Sequence, residues 1–410
     1  MSLAGRPTRR APTAIRAYTA TCAAGTGNEA LAQALALQHS GLRPLDDALW
    51  QLPTWVGRID ALDDPVRPPL PDRLSAPWQG RAIELAWLGL QADGFIDAVQ
   101  AARQRWGGQR VGLVVGTSAS TIGVSEQAYR TLDAEGRFPQ ALRHEPLNTP
   151  HALASFVQAA LQIEGPSLTV STACSSSAKA LACAERWLRL GLADAVVVAG
   201  IDALCASVLY GFHALGLVAN GPCRPFDAAR QGISIGEAAA YALLERGEAP
   251  LQLLGHGESS DAHHMSSPHP EGLGAQAALQ AALASTGLAA DAVDLVNLHG
   301  TASALNDAVE AAVVARGYAS SVHACATKGL TGHTMGAAGL LEAVICLLAV
   351  ERSLRPGSAQ TAQLDPGFDP RFSRQLALRP RQQPVRVATS HSFGFGGSNC
   401  VVVLGRGPTA

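Results

Sequence analysis

Charged and aromatic residues are both scarce in this 410-residue sequence, and their scarcity excludes several classes of protein. Only 16% of the residues are charged and the net charge is -2, so the overall charge favours binding neither to nucleic acid nor to a membrane surface. Aromatic residues make up 5% of the sequence, hydrophobic residues of all kinds 47%, and glycine occupies 41 positions. This composition is typical of helices packed closely on sheets and excludes a disordered or fibrous chain.

Long apolar runs and paired cysteines are also missing. Residues 340–350 form an apolar stretch that is too short to cross a bilayer and contains Glu342. The basic segment 1–13 is followed by no apolar region of the kind found in secretory signals, and the eight cysteines include no Cys-x-x-Cys pair. These absences argue against a membrane protein, a zinc ribbon and a disulfide framework, and we expect a cytoplasmic protein.

Strand-like and helix-like segments alternate along most of the chain. Residues 1–13 are expected to form a loose tail, and residues 41–74, rich in proline, aspartate and arginine, an irregular surface segment. The pattern then predicts a helix at 175–190 and buried strands at 110–116, 168–172 and 195–199. A strand, a helix and a strand at this spacing form a βαβ unit, which predicts an α/β fold with a parallel or mixed sheet.

The second half of the chain repeats this order. We predict a helix at about 336–351 and strands at 251–255, 295–298, 322–326, 385–390 and 400–404. A chain of this length tends to divide into two packed units, so we interpret the repeat as an internal duplication. The expected halves are residues 1–250, which contain a reactive cysteine, and residues 251–410, which contain two histidines.

Cys174 lies between a predicted strand and a predicted helix. Unpaired N–H groups and the dipole at a helix start favour an anion, so we expect its thiol to ionise more easily than a free cysteine. A sharp strand-to-helix turn also presents the side chain, as in other nucleophile elbows. The alternative is a small buried cysteine with no reactive role, since free cysteines are usually buried.

Two histidines follow predicted strands in the second half. His299 comes directly after an apolar strand, where a catalytic group at the carboxyl edge of a sheet would lie. His333 lies among four nearby glycines, which permit close approach of the backbone. Taken singly, His299 is as easily a core histidine, and His333 part of an exposed glycine-rich turn.

Six segments together resemble the elongating β-ketoacyl-acyl carrier protein synthases, in that family's order and spacing. They are TACSSSAKAL (172–181), RPFDAARQGISIGEAA (224–239), DAHHMSSP (261–268), HGTASALND (299–307), TKGLTGHTMGAAGLLEA (327–343) and SFGFGGSN (392–399). The resemblance covers about residues 80–405. It implies the thiolase fold, in which two βαβαβαββ halves are stacked in five layers, and a homodimer.

The resemblance implies a role for each matching residue. Cys174 matches the nucleophile that carries the acyl chain as a thioester, and His299 and His333 match the pair that assists decarboxylation of a malonyl group. Lys328 matches the lysine that organises the site beside the second histidine, and Glu342 a buried acid that supports it. The implied reaction produces a 3-oxoacyl thioester two carbons longer and requires no metal or redox cofactor.

Further matches concern the entrance to the site. Phe395 matches the gating phenylalanine of the GFGG loop, and its N–H would join that of Cys174 as an oxyanion hole. Asp261 and Ser266 match a mobile loop that supports the gate, and Thr301 belongs to the matching HGT segment as a further supporting residue.

Ala119 and Phe212 are the residues expected in the acyl pocket. Ala119 lies where elongating enzymes often carry a larger aliphatic residue. The N-terminal segment 14–27 and the runs HGTASALND and GEAAAY also depart from the family pattern. These departures lead to the hypothesis of a roomier or differently shaped pocket for polyketide-like or polyene chains.

Two segments suggest other chemistry. His263, His264 and His269 lie near Asp261 and could hold a metal, but the segment matches the mobile loop, so we expect no metal. The glycine-rich segment 393–397 joins two predicted strands rather than a strand and a helix, which argues against dinucleotide binding.

Two rival functions are possible on the same fold. Thiolases and initiating ketoacyl synthases combine the cysteine with one histidine and a second cysteine or an asparagine, whereas two histidines are present here. A pocket-shaping subunit such as a chain-length factor is the alternative function, but such subunits generally lack the nucleophile.

The expected partners are an acyl carrier protein and a second subunit, either identical or related. Because the carrier is acidic, we expect it to dock on basic residues, with Arg58, Arg67, Arg73 and Arg224 as candidates.

Overall fold

The computed structural model describes residues 12–47, 50–64, 66, 69–75, 78–143 and 145–407. The α-helices in these ranges are α1 (Gly27–Leu37), α2 (Asp72–Ser75), α3 (Arg81–Leu90), α4 (Phe95–Trp106), α5 (Ile122–Arg130), α6 (Ala152–Leu161), α7 (Ser176–Leu190), α8 (Ala206–Ala214), α9 (Leu273–Thr286), α10 (Ala304–Gly317), α11 (Lys328–Thr331), α12 (Ala338–Arg352) and α13 (Pro370–Gln375). The strands are β1 (Thr13–Cys22), β2 (Gly25–Thr26), β3 (Leu42–Pro44), β4 (Trp55–Gly57), β5 (Val111–Gly116), β6 (Ser167–Val170), β7 (Ala195–Asp202), β8 (Ile235–Gly236), β9 (Ala238–Arg246), β10 (Leu251–Ser260), β11 (Leu295–Asn297), β12 (His323–Cys325), β13 (Leu354–Arg355), β14 (Arg381–Gln382), β15 (Val387–Gly394) and β16 (Ser398–Arg406). Across the described ranges, no helix combines the length and apolar character needed to span a bilayer.

Most strands belong to one eleven-stranded mixed sheet. Its order is β12, β11, β15, β16, β10, β1, β9, β7, β5, β6, with β2 paired to β1. From the edge inwards, each half contributes three parallel strands and then two antiparallel ones: β6, β5, β7, β9 and β1 in the first half, and β12, β11, β15, β16 and β10 in the second. The two sets meet where β1 pairs antiparallel with β10. The repeated order and direction are the pattern that an internal duplication predicts.

Alternate residues on the strands face different layers of the protein. Val196 and Val198 of β7 pack into a central cluster with α7 and α12, whereas Val197 faces the outer helices α3, α4 and α6. On β16, Val402 packs into the central cluster and Val401 faces the outer helices α9 and α10. Helix, sheet, helix, sheet and helix therefore form five layers.

The apolar stretch at 340–350 forms part of α12. Every residue from 338 to 350 is buried, because this helix lies in the central layer between the two parts of the sheet. A helix that is covered on all sides is apolar all round, so the stretch is explained by the protein core.

The main predicted strands and helices are confirmed, with ends shifted by a few residues, and two expectations need correction. The predicted tail is too long, since Thr13 already belongs to β1; residues 1–11 lie outside the described part. The segment 41–74 is not wholly irregular, because it carries α2 and the strands β3 and β4, which form a small sheet with β8. These strands are short and proline-flanked, so periodicity does not reveal them.

Candidate active site

Cys174 lies in the turn that joins β6 to α7, two residues before the helix begins at Ser176. The preceding residue, Ala173, has a φ of 52°, a left-handed conformation that turns the chain sharply. Gly116 at the end of β5 makes room for this turn, because a Cβ there would lie 2.4 Å from the backbone nitrogen of Ser177. The cysteine is therefore held on a turn packed directly against β5.

The two predicted histidines converge on this cysteine. Nε2 of His333 lies 3.1 Å from Sγ of Cys174, and the ring centroids of His299 and His333 are 5.4 Å apart. Sγ and one nitrogen of each ring lie within 4.8 Å of one another. All three side chains are buried. The structure thus brings the three residues together in one site.

Each imidazole is held at Nδ1 by a donor. The N–H of Met335 donates to Nδ1 of His333 over 3.3 Å, and Nζ of Lys328 lies 3.5 Å from Nδ1 of His299. A neutral imidazole that accepts at Nδ1 carries its hydrogen on Nε2. Burial, assisted by the nearby charge of Lys328, lowers the pKa of both histidines well below the usual range. Both rings are therefore neutral near pH 7 and present an Nε2–H donor.

Lys328 and Glu342 form a buried ion pair beside His299. Burial raises the pKa of Glu342 to about 7, and the contact with Lys328 opposes this shift. Oε2 of Glu342 has no hydrogen-bond partner among the described residues. The charge of Lys328 lies close to His299 and acts on Cys174, although neither Lys328 nor Glu342 lines the cavity.

The expectation that the Cys174 thiol ionises easily is wrong for the resting protein. Burial raises its pKa to about 11, although Lys328 and the N–H of Phe395 oppose the shift. A helix start contributes only a small stabilisation of an anion, which does not offset the loss of hydration in a closed site. Cys174 is therefore a neutral thiol near pH 7.

Phe395 lies in the turn between β15 and β16. Its N–H donates to Sγ of Cys174, and its ring centroid lies 5.4 Å from that of Phe212. The backbone donor beside the sulfur is what an oxyanion hole at this position requires. The two phenylalanines form an aromatic boundary on one side of the cavity.

The turn after Phe395 is tied to the loop at 261–269. The N–H of Asp261 donates to the carbonyl of Gly397 over 2.8 Å, and the N–H of Gly396 donates to the carbonyl of Met265 over 2.7 Å. The carboxylate of Asp261 also accepts from Nδ2 of Asn399 over 2.8 Å. A movement of either segment would therefore break these hydrogen bonds or move the other segment with it.

A cavity of about 380 Å³ opens onto the reactive residues. Most of the predicted site residues line it: Cys174, Phe212, Asp261, Ser266, His299, Thr301, His333 and Phe395. Ala119 is not among the lining residues; its N–H donates to the carboxylate of Asp202. The next two residues, Ser120 and Thr121, line a second cavity of about 400 Å³.

Sequence reasoning missed the acids that hold the two histidine turns. Glu310 on α10 accepts from the N–H of His299 over 2.7 Å and from that of Gly300 over 2.8 Å. Asp202 accepts from the N–H of Gly336 over 2.7 Å. The only sign of either residue in the sequence is an acid inside an amphipathic helix or at the end of an apolar strand, which does not reveal its partners.

The remaining sequence candidates are dispersed. In the described part of the chain, Cys174, His299 and His333 form the one group of three side chains with metal-ligand spacing, so His263, His264 and His269 do not form such a group. Of the candidate docking arginines, Arg58 pairs with Asp47 and Asp63, Arg73 donates to the carbonyls of Ala159 and Ala160, and Arg224 is exposed. Arg67 lies outside the described residues.

Comparison with known proteins gives consistent matches over most of the chain. The family models "Beta-ketoacyl synthase, N-terminal domain" and "Beta-ketoacyl synthase, C-terminal domain" match residues 11–249 and 252–361. Nodulation protein E of Rhizobium meliloti (strain 1021) is 35% identical over 307 residues, which are 72% of this chain and 75% of that protein. The 3-oxoacyl-[acyl-carrier-protein] synthase 2 of Coxiella burnetii is 29% identical over 341 residues, 75% of this chain and 81% of that protein.

Solved structures agree with these matches. The complex of the ketosynthase ApeO with its chain length factor ApeC, from Xenorhabdus doucetiae, contains a chain that is 33% identical, with a TM-score of 0.86 over 97% of this chain and 98% of that one. A β-ketoacyl synthase from Burkholderia phymatum, 23% identical, shares the fold with a TM-score of 0.83 over 97% of this chain and all of that one, 100%. The expected thiolase fold is confirmed. The chain belongs to the β-ketoacyl synthase family, and it is an acyltransferase of the 3-oxoacyl-[acyl-carrier-protein] synthase class.

Proposed function

We propose that this enzyme joins an acyl group held on Cys174 to malonyl-acyl carrier protein, with His299 and His333 stabilising the reacting enolate. The observation that carries the proposal is the convergence of a thiol and two Nε2–H donors on one cavity, with Nε2 of His333 3.1 Å from Sγ. Lys328, paired with Glu342, supports His299 at its Nδ1 atom.

The first step transfers the acyl group to the enzyme. Sγ of Cys174 attacks the carbonyl carbon of an acyl-carrier thioester, and the bond from that carbon to the carrier sulfur breaks. The thiol proton ends on the departing carrier thiol. The N–H groups of Phe395 and Cys174 stabilise the tetrahedral oxyanion, and Lys328 favours the transient thiolate by its charge.

The second step removes CO₂ from the malonyl group. The bond to the carboxylate breaks, and its electron pair forms an enolate whose negative charge lies largely on the thioester oxygen. Neutral His299 and His333 donate Nε2–H bonds to that oxygen as the charge develops. The enolate carbon then attacks the acyl-Cys174 thioester, the carbon–sulfur bond breaks, and the released thiolate takes a proton from solvent.

The purified protein with acyl- and malonyl-loaded carrier protein tests this function. We expect one CO₂ released per 3-oxoacyl-carrier product formed, with a chain two carbons longer than the primer. The Cys174→Ala variant should form no product. If the chain is instead a pocket-shaping subunit, it should be inactive alone, and its complex with a catalytic partner should keep full condensing activity when Cys174 is replaced by alanine. The presence of the cysteine and its surrounding groups disfavours that role.

We propose that the chain forms a dimer through β6. This strand is one of the two edge strands of the large sheet, and Leu168 on it is 40% exposed. The unpaired N–H and C=O groups of an edge strand favour pairing with another strand. A second copy would give a homodimer. Since the similar ApeO ketosynthase is in complex with its chain length factor, a related subunit would fit the same edge as a heterodimer.

We also propose that the acyl tail extends past Phe212 and Ala119 toward the second cavity. Ile233 and Leu217 from the first cavity and Leu204 from the second belong to one apolar cluster, which forms a shared wall. Ala119 lines neither cavity, but the two residues after it, Ser120 and Thr121, line the second one, so its small side chain lies next to the proposed path. Such a path favours long chains, including the polyketide-like or polyene chains hypothesised above.

We propose a cytoplasmic location. All eight cysteines are free thiols, which supports a reducing cytoplasm.

The division into residues 1–250 and 251–410 is supported by the end of β9 at Arg246 and the start of β10 at Leu251. Exposed Arg224 remains the preferred carrier-docking residue, since Arg58 is engaged in ion pairs and Arg73 in hydrogen bonds.

A further inference from the structure

Asp202, the last residue of β7, is completely buried between two segments of the active site. Oδ1 accepts from Oγ1 of Thr117 over 2.7 Å and from the N–H of Ala119 over 2.8 Å. Oδ2 accepts from the N–H of Ser118 over 2.9 Å and from that of Gly336 over 2.7 Å. It forms no ion pair with any residue that the structure describes. A buried carboxylate without a cation depends on such donors.

The contact with Gly336 connects Asp202 to His333. Met335, the residue before Gly336, has a φ of 54° and donates its N–H to Nδ1 of His333. A Cβ on Gly336 would lie 2.6 Å from the nitrogen of Ser118 and 2.8 Å from Oδ2 of Asp202. The turn that orients His333 is therefore packed tightly against the segment that Asp202 holds.

We propose that Asp202 is a positioning residue for decarboxylation, because by binding the N–H of Gly336 it places the N–H of Met335 against Nδ1 of His333. This inference rests on the proposed function of His333. The donor at Nδ1 keeps the proton of His333 on Nε2, where it faces the cavity. Loss of the anchor would allow the 335–336 turn to shift and the imidazole to rotate or change tautomer.

Replacement of Asp202 by asparagine removes the anchor with little change in shape. An amide offers one acceptor oxygen, and its NH₂ group would face a backbone N–H donor. With acetyl- and malonyl-loaded carriers at pH 8, we expect kcat for malonyl decarboxylation to fall about tenfold or more, with KM changed less than about threefold. Acetylation of Cys174 should change less than about threefold, since the Asp202 charge opposes formation of its thiolate.

A matched control and a rescue distinguish positioning from general damage. Asp227 is also buried and accepts from the N–H groups of Ala229, Ala362 and Gln363, but it is not bound to the His333 turn. The Asp227→Asn variant should leave the ratio of decarboxylation to acetylation unchanged. Asp202→Glu, which restores a carboxylate, should recover part of the decarboxylation rate. Equal losses of both half-reactions in Asp202→Asn, or no loss in either, would overturn the proposal.

A double-mutant cycle separates this inference from the function on which it rests. In a His333→Ala background, Asp202→Asn should produce no further loss of decarboxylation, because both changes act through one imidazole. An additional loss of the full single-mutant size would overturn the positioning role. If His333→Ala itself leaves decarboxylation intact, the proposed function fails first. Should Asp202→Asn not fold, Gly336→Ala disturbs the same contact from the other side and should give the same selective loss.

Discussion

The chemistry at the residue scale depends on which nitrogen of each histidine carries the proton. The backbone N–H of Met335 lies at Nδ1 of His333, and the amine of Lys328 lies at Nδ1 of His299. Both rings therefore carry their hydrogen on Nε2 before a substrate binds. An oriented donor of this kind needs no rearrangement when charge develops. In the proposed mechanism the two rings therefore act as fixed donors for an enolate, with no exchange of protons required.

His333→Ala removes one of these donors. We expect malonyl decarboxylation to fall about 10²–10³-fold, the usual effect of losing one oxyanion donor, while Cys174 still accepts an acyl group. CO₂ release and acyl loading measured separately give the two rates. His39→Ala, at an exposed histidine, is the control and should alter neither rate. Decarboxylation at the normal rate in His333→Ala would contradict the assigned role.

The raised pKa of Cys174 leads to a second prediction. Because the thiol titrates near a pKa of about 11, its alkylation by iodoacetamide should accelerate about tenfold per pH unit from about pH 7 to about pH 10. Lys328→Met removes a charge that lowers this pKa, so its profile should move to higher pH. Peptide mapping assigns the modified residue. A plateau of the wild-type rate below about pH 8 would show an ionised thiol instead.

Sequence motifs predicted residues that the structure brings together in one site, but not their electrostatic state. Cys174, His299, His333 and Lys328 lie in short segments whose residue types are visible directly. The raised pKa of Cys174 results from burial, in a site whose other groups come from segments far away in sequence, such as the turn at His333. A local rule about helix starts cannot include that burial, which explains why it predicted the wrong direction.

At the element scale, the site is built from turns that follow the strands. Cys174 follows β6, His299 follows β11 and His333 comes shortly after β12, so corresponding positions in the two halves of the sheet face one cavity. Continuous apolar runs made β5, β7 and α12 predictable, and the Ala, Leu and Glu content of 175–190 made α7 predictable. The small sheet of β3, β4 and β8 was not, because its strands are two or three residues long and pair across distant parts of the chain.

The proposed dimer depends on the edge strand β6. Leu168→Lys places a charge on the proposed pairing edge and should shift the protein toward monomer, since edge lysines discourage strand pairing. Sedimentation velocity reports the oligomeric state. Leu37→Lys, at a 70% exposed leucine ending α1, is the matched control and should leave the assembly unchanged. An unchanged assembly in Leu168→Lys would place the interface elsewhere.

For the molecule as a whole, the proposed acyl path runs between the two cavities along their shared apolar wall. Ala119→Ile adds bulk next to this proposed path and should reduce turnover of long primers at least about tenfold while preserving short ones. A ladder of acyl-carrier primers measured by kcat/KM tests this expectation. If wild-type enzyme clearly prefers short saturated primers, the hypothesis of a long-chain or polyene substrate fails, whatever the variant does.

Intact-protein mass spectrometry of wild-type enzyme and Cys174→Ala, after incubation with a set of acyl-carrier thioesters, shows whether Cys174 is the nucleophile. Wild type should gain the mass of one acyl group, mapped to Cys174, and lose it when malonyl carrier is added. The variant should gain none. A chain that carries no acyl group, or carries it on another residue, would contradict the assignment of Cys174 as the nucleophile.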